Sequence, residues 1–293
     1  MQEQVADDWS TVTSGGIRVH HRDRQALAES VLGQLLEQAP LPALPAGVPE
    51  SASVYLAPDE ASFRALTGGA VPDWSAAVAL PAAAVLVIPV YASERTRGGD
   101  RPRVLRHEWA HLGLHDYLGE RRVPRWFDEG YAEWASGWDA SRGWLLRLLL
   151  ATGRAPPLDS LTLDWPRDAA SARAAYLLSA TALEYLVVES GVRGLELMLG
   201  RWREGGSFED ALRATYGVTS GQLESHWRRY VKSRYGWFVI LSQSVVLWGV
   251  LGGLLLLLFG VRRRRDRERM ARLRAAELPE RPDWWGQKGG EGG

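Results

Sequence analysis

From Gly236 to Val261 the chain carries 26 consecutive residues without a formal charge, among them Leu254-Leu255-Leu256-Leu257-Leu258-Phe259, and Arg262-Arg263-Arg264-Arg265 follow at once. A helix needs roughly 20 apolar residues to cross a bilayer core of about 30 Å, so this stretch is long enough to span. A buried helix of a water-soluble domain fits poorly with four successive arginines at its end. The expectation is one C-terminal transmembrane helix over 236–261, with Trp237 as an interfacial anchor and Trp248 deeper. Residues 262–293 then form a basic tail, expected to be disordered because it has too little apolar surface to offset the entropy of ordering. Residues 1–235 remain as a single domain.

Composition narrows the chemistry of that domain. With 35 basic and 35 acidic residues in 293, no global field points to a nucleic-acid partner. The zero is uneven: residues 262–293 hold ten basic and six acidic side chains (+4), leaving −4 for residues 1–261. There is no cysteine, which excludes disulfides, thiolate nucleophiles and cysteine-ligated metals.

The first hundred residues alternate strand and helix signals. Gly16–His21 and Ser53–Leu56 read as strands, and residues 23–38 place Leu27, Val31, Leu32, Leu35 and Leu36 at helical spacing. Asp59 is placed to cap a helix through Leu66. Residues 76–90 read as two short strands, with Pro81 and Pro89 pointing to a sheet edge. From Arg103 onward the signals are nearly all helical, and Thr219 with Gln222 has capping-box spacing for a helix to about Ser233. The fold class is therefore α+β, with a small N-terminal mixed sheet and a mainly helical C-terminal part.

The chemistry concentrates in Val104-Leu105-Arg106-His107-Glu108-Trp109-Ala110-His111. Histidines four apart lie on one helix face, so both imidazoles can converge on one ion. The glutamate between them sits where it can take a proton from a metal-bound water. A tetrahedral catalytic zinc needs a third protein ligand and one open position. Seventeen residues separate His111 from Glu129, which is followed by Glu133 on the same face of a second helix that Pro124 can open. Asp128 is a second candidate ligand, but its side chain points about 100° around the helix from that of Glu129. His115 lies one turn beyond His111, and Gly113 reads as a place where the helix loosens. His115 is assigned to support or surface, and His20, His21 and His226 to structure or exposed positions. Trp109, Trp126 and Trp134 read as packing around the metal helices.

His-Glu-Trp-Ala-His combined with Trp126-Phe127-Asp128-Glu129-Gly130-Tyr131-Ala132-Glu133-Trp134 resembles the gluzincin zinc peptidases, and most closely the bacterial peptidase MA-like family. The resemblance covers about residues 80–232 and implies a zincin-like fold holding one zinc ion per chain. It implies His107, His111 and Glu129 as metal ligands, Glu108 as general base, and Glu133 as support for a zinc-binding histidine. It also implies that Tyr176, in Ala174-Ala175-Tyr176-Leu177, helps hold the oxyanion. One departure matters. The aminopeptidase branch carries Gly-x-Met-Glu-Asn before the metal helix, where this chain has Val85-Leu86-Val87-Ile88-Pro89-Val90. Without that acid exopeptidase specificity is unsupported, and an edge strand pairing with an extended peptide is the better reading.

The expected function is that of a membrane-anchored zinc endopeptidase with a peptide or protein substrate. A non-catalytic zincin-fold binding or assembly module and a zinc hydrolase acting on a non-peptide bond are the rivals. Residues 262–274 hold eight arginines against Asp266 and Glu268, and positive residues close to a span stay cytoplasmic. That places the tail in the cytoplasm and residues 1–235 across the membrane. Export would need a signal that Met1-Gln2-Glu3-Gln4-Val5-Ala6-Asp7-Asp8 does not supply, so this topology expects a signal segment ahead of Met1.

Overall fold

The structure is a computed structural model that describes residues 9–69, 76–91, 101–137, 156–166, 168–235 and 245–276. The chain divides into two compact units, Met1–Trp237 and Phe238–Gly293.

The first unit begins with a five-stranded mixed sheet of order β1-β2-β3-β5-β4, comprising Ser10–Ser14, Ile17–His21, Ala52–Ala57, Val85–Pro89 and Val78–Leu80. The pairs β1·β2 and β4·β5 are antiparallel, while β2·β3 and β3·β5 are parallel. Side chains alternate across the pleat, so each strand serves two faces. Ile17, Val19, Val54, Leu56, Leu86 and Ile88 enter the main core with helix α1 (Gln25–Leu36). Ala57 and Val87 face the other way and are covered by Phe63 of helix α2 (Glu60–Thr67). Asp59 caps α2 by accepting from the Ser62 amide at 2.7 Å, as its position before the helix led us to expect.

The pair read over 76–90 does reach a sheet edge, but not through the strand that carries proline, and one further strand was not expected. The proline-bearing strand β5 is interior, and Pro89 sits at its last residue, opposite Ala57, where the missing donor costs little. The edge is β4, three residues long, which a 3₁₀ turn at Pro81–Ala83 joins to β5. At the opposite edge β1 (Ser-Thr-Val-Thr-Ser) is an additional strand that its polar, largely exposed sequence did not announce.

Helices follow the sheet: α3 (Arg101–Leu118), α4 (Arg125–Ala135), α5 (Leu158–Leu163), α6 (Ala169–Glu204), α7 (Phe208–Tyr216) and α8 (Ser220–Tyr235). Helix α6 bends at Gly191, whose φ of 69° breaks the helical run. The expected capping box opens α8: Thr219 and Gln222 exchange bonds of 2.9 and 3.3 Å. Thr181, buried in α6, accepts from the Trp227 indole of α8 at 3.2 Å. An aromatic cluster of Trp126, Phe127, Trp202 and Phe208 joins α4, α6 and the start of α7. Trp109 and Trp126 are buried and Trp134 packs partly buried against the same core, as expected.

Two glycines set helix spacing. Gly113 does not loosen α3, which is continuous to Leu118. A Cβ there would collide with Leu41 of the Pro-rich loop over residues 40–49, and Pro49 lies 3.4 Å away, so the missing side chain seats that loop on the helix. The loop is held further by Arg106, which donates to the carbonyls of Ala39 and Pro40, and by the Tyr131 hydroxyl, which donates to Pro42 at 2.8 Å. A Cβ on Gly130 of α4 would lie 2.5 Å from the Ser179 carbonyl of α6.

In the second unit the described residues form helix α9, from Val245 to Ala276. The span expected over 236–261 is not reproduced: among the described residues no helix is long and apolar enough to cross a membrane. Residues 236–244 lie outside the described residues, and α9 joins the apolar run directly to the arginines. The tail expected to be disordered is helical through Ala276, in keeping with the helix propensity of Arg, Ala, Leu, Met and Glu. Trp284-Trp285 lie outside the described residues.

Gly130→Ala should therefore destabilise the first unit by about 1–3 kcal/mol, the range for overpacking a close backbone approach. Denaturant unfolding followed by tryptophan fluorescence would measure it. An unchanged midpoint would mean that α4 and α6 are not in backbone contact.

Candidate metal centre

Helix α3 carries His107, Glu108 and His111, and α4 carries Asp128, Glu129 and Glu133. The two helices pack together, and Gly130 brings α4 up against α6, which carries Tyr176. Four-residue spacing points both imidazoles the same way. The His107 and His111 Nε2 atoms are 3.2 Å apart, and Glu129 Oε2 lies 3.6 Å from the first and 3.4 Å from the second. One ligand atom from each of the three lies within 4.8 Å of the others, and among the described residues this is the one such group.

Two imidazole nitrogens and one carboxylate oxygen are a donor set suited to zinc with one position left open. The far ring nitrogens support this. His111 Nδ1 donates to Asp128 Oδ1 at 2.7 Å, which fixes the tautomer that turns the Nε2 lone pair into the cluster. His107 Nδ1 lies 3.6 Å from Glu133 Oε1, an ion-pair separation longer than a hydrogen bond. Glu133 also receives a bond of 2.6 Å from the Arg103 guanidinium.

The structure thus brings His107, His111, Glu129, Glu133, Glu108 and Tyr176 into one neighbourhood. It adds a residue that the sequence offered only as a rival ligand. The 100° turn that removes Asp128 from the ligand position carries it behind the His111 ring. Its second oxygen takes His115 Nε2 at 3.2 Å, which places His115 in the supporting layer. Of the remaining histidines, His20 stacks on Tyr55 with centroids 4.4 Å apart, and His21 is buried, its Nδ1 facing the Arg24 amide.

Burial opposes every charge here, and the pairing decides the outcome. Burial pushes the Glu129 carboxyl up, but bonds to His107 and His111 bring it down to about 2. Burial likewise opposes ionisation of Asp128, yet His111 and His115 hold it well below the usual carboxylate range. For His111, burial is outweighed by Asp128 and Glu129, which raise it well above its ordinary value, and His107 is raised by Glu129 in the same way. Glu108 behaves differently. Burial lifts its carboxyl above the usual value, and the two histidines offset this only in part. Its Oε2 accepts the Ala79 amide of edge strand β4 at 2.8 Å, so the sheet fixes its orientation.

Beside these groups lies a cavity of about 370 Å³, lined by Ala77, Arg103, His107, Glu108, Arg173 and Tyr176 among others. The Tyr176 ring stands 6.2 Å from that of His107 and meets Trp165 edge-on at 5.2 Å. Burial, then the negative charge of Glu129 and Glu108, pushes the phenol far above its ordinary value, so it remains a proton donor at neutral pH.

Residues 50–233 match the family model of the Peptidase MA superfamily. The chain belongs to that superfamily. It is a gluzincin-type zinc peptidase family, and its match encloses all six residues just described. No curated protein matches the chain. The crystal structure of an M1 zinc metallopeptidase from Deinococcus radiodurans is similar at 19% identity and a TM-score of 0.37. That similarity covers 75% of this chain and 50% of the other, so the chain spans about half the length of that protein.

Asp128→Asn should lower zinc affinity about 10- to 100-fold, the usual effect of losing a carboxylate behind a histidine ligand. Competition with a chromophoric chelator would read this, and affinity equal to wild type would leave Asp128 without a role in the site. The metal-free protein should be most stable near pH 5–6. Glu129 and Asp128, depressed in the folded state, contribute stability above their unfolded values near 4, which is lost as pH falls. His107 and His111, raised in the folded state, contribute stability that is full below about 6.5 and lost as pH rises through their folded values. Thermal melts of chelator-treated protein across pH 3–9 would check the maximum.

Proposed function

We propose that this chain is a membrane-anchored zinc metallopeptidase, cleaving peptide bonds within extended chains. The observation that carries the reading is the convergence of His107, His111 and Glu129 beside Glu108, in a cavity that Tyr176 also lines. Zinc held by those three residues would supply Lewis acidity and lower the pKa of a water toward about 7.

The chain's own groups then divide the work. Glu108 removes the proton from the attacking water and returns it to the departing amine; its raised carboxyl suits a group that must both take and give a proton. The Tyr176 hydroxyl donates to the oxygen of the attacked carbonyl as negative charge develops there. Asp128 keeps the His111 imidazole in the ligating tautomer, and Glu133 sets a negative charge beside His107 Nδ1. The endopeptidase reading rests on β4, the last strand of the described sheet, which adjoins Glu108 and could align an extended substrate by strand addition.

Membrane anchoring rests on the uncharged run of 236–261 and on α9, where Leu254–Phe259 are exposed. The arginines beyond support a reading with the C-terminus in the cytoplasm and the peptidase domain across the membrane. Protease added to intact spheroplasts should digest the catalytic domain and spare a tag after Gly293; the reverse pattern would overturn this topology.

Glu108→Gln should retain zinc and the fold while lowering kcat about 10²- to 10⁴-fold, because an amide cannot accept the proton. Glu129→Gln should release zinc. Metal analysis combined with mass spectrometry of a digested peptide mixture would separate the two effects. Full activity in Glu108→Gln would refute the mechanism.

A further inference from the structure

We infer that Arg173 makes this site selective for peptides bearing a carboxylate close to the bond that is cut. The inference rests on the peptidase reading above and adds a substrate class to it.

Among the described residues, the charged groups lining the cavity are Arg103, His107, Glu108, Glu133 and Arg173. Arg103 is taken up by Glu133 at 2.6 Å, His107 is turned toward Glu129 and Glu133, and Glu108 accepts the Ala79 amide. Arg125, a further guanidinium near the ligands, lies 3.8 Å from Glu129 and over the Trp165 ring. Arg173 differs from all of these. It is exposed at the cavity wall, and no carboxylate among the described residues pairs with it. The cavity therefore presents a guanidinium whose planar donors match a carboxylate and whose charge nothing described neutralises.

Position supplies the second half of the argument. Arg173 and Tyr176 lie three apart on α6, on neighbouring sites of one face, about one helical turn or 5 Å along the axis. An extended peptide advances about 3.3 Å per residue. With the attacked carbonyl against Tyr176, the guanidinium reaches a group within about two residues of the scissile bond. A carboxylate there has two sources, the side chain of Asp or Glu or the C-terminus of a short peptide.

The test uses the full-length, zinc-loaded chain in detergent and matched peptides. Glu, Gln or Lys is placed at each of two positions on either side of the cleaved bond, with free-acid and amidated C-termini. Hydrolysis is read as kcat/KM, and binding to Glu108→Gln protein is read separately from tryptophan fluorescence. Wild type should favour Glu over Gln at one position by roughly three- to tenfold, the effect of a partly solvated charge pair. Arg173→Gln should abolish that ratio, and Arg173→Glu should turn it toward Lys. If free-acid peptides gain over amides while Glu and Gln are equal, the C-terminal carboxylate is the group recognised. Equal rates for Glu, Gln, free acid and amide in wild type would overturn the inference. So would a uniform fall for all peptides in Arg173→Gln with their ratios intact, since that marks binding of backbone carbonyls. If no peptide is cut, the peptidase reading fails, and the binding ratios alone decide whether Arg173 selects carboxylates.

Discussion

Charge burial governs how this domain is put together. Where α3 meets α4, the carboxylates of Glu108, Asp128, Glu129 and Glu133 share a small volume with the imidazoles of His107, His111 and His115. Removing so many ionisable groups from water is unfavourable unless each finds a partner of opposite charge or a donor. The surroundings provide them in order: Arg103 for Glu133, the Ala79 amide for Glu108, and the histidines for Asp128 and Glu129. The sheet thus takes part in the site through one backbone amide of its edge strand. The aromatic cluster behind α4 holds the helices that carry the remaining partners.

How far the sequence disclosed this depends on the range over which each feature acts. His107, Glu108 and His111 were readable because helical periodicity alone places them. Glu129 needed a second helix brought beside the first, and the Gly-Tyr-Ala-Glu pattern around it supplied that through resemblance. Asp128 was discounted for the right angular reason and the wrong target. The 100° rotation was measured against the metal position, whereas the group it meets is the far side of the His111 ring. Only the relative placement of two helices reveals that, and nothing local encodes it.

The same distinction separates the strands. β2 and β3 have apolar alternation, and β4 and β5 are short apolar runs with β-branched residues, signals that a single strand displays by itself. β1 has none, and exists because β2 offers it an antiparallel partner. Proline at the end of β5 was read as a mark of the edge, but proline is tolerated equally at a strand terminus, where no ladder donor is required. Gly113 was read for flexibility, although in a buried helix a glycine more often records what leans against it. Asp59, Thr219 and Gln222 were legible because caps are strictly local interactions.

Gly130 sits beside Glu129, and its missing side chain lets α4 rest on the Ser179 carbonyl, one turn from Tyr176. Helices that meet through side chains slide and tilt whenever a core residue changes size. Helices that meet main chain to main chain have no such slack. The separation between Glu129 and the Tyr176 phenol is thereby insulated from mutational drift in the core around them. Leu178, Leu183 and their neighbours can be exchanged over generations while that one dimension of the site stays constant.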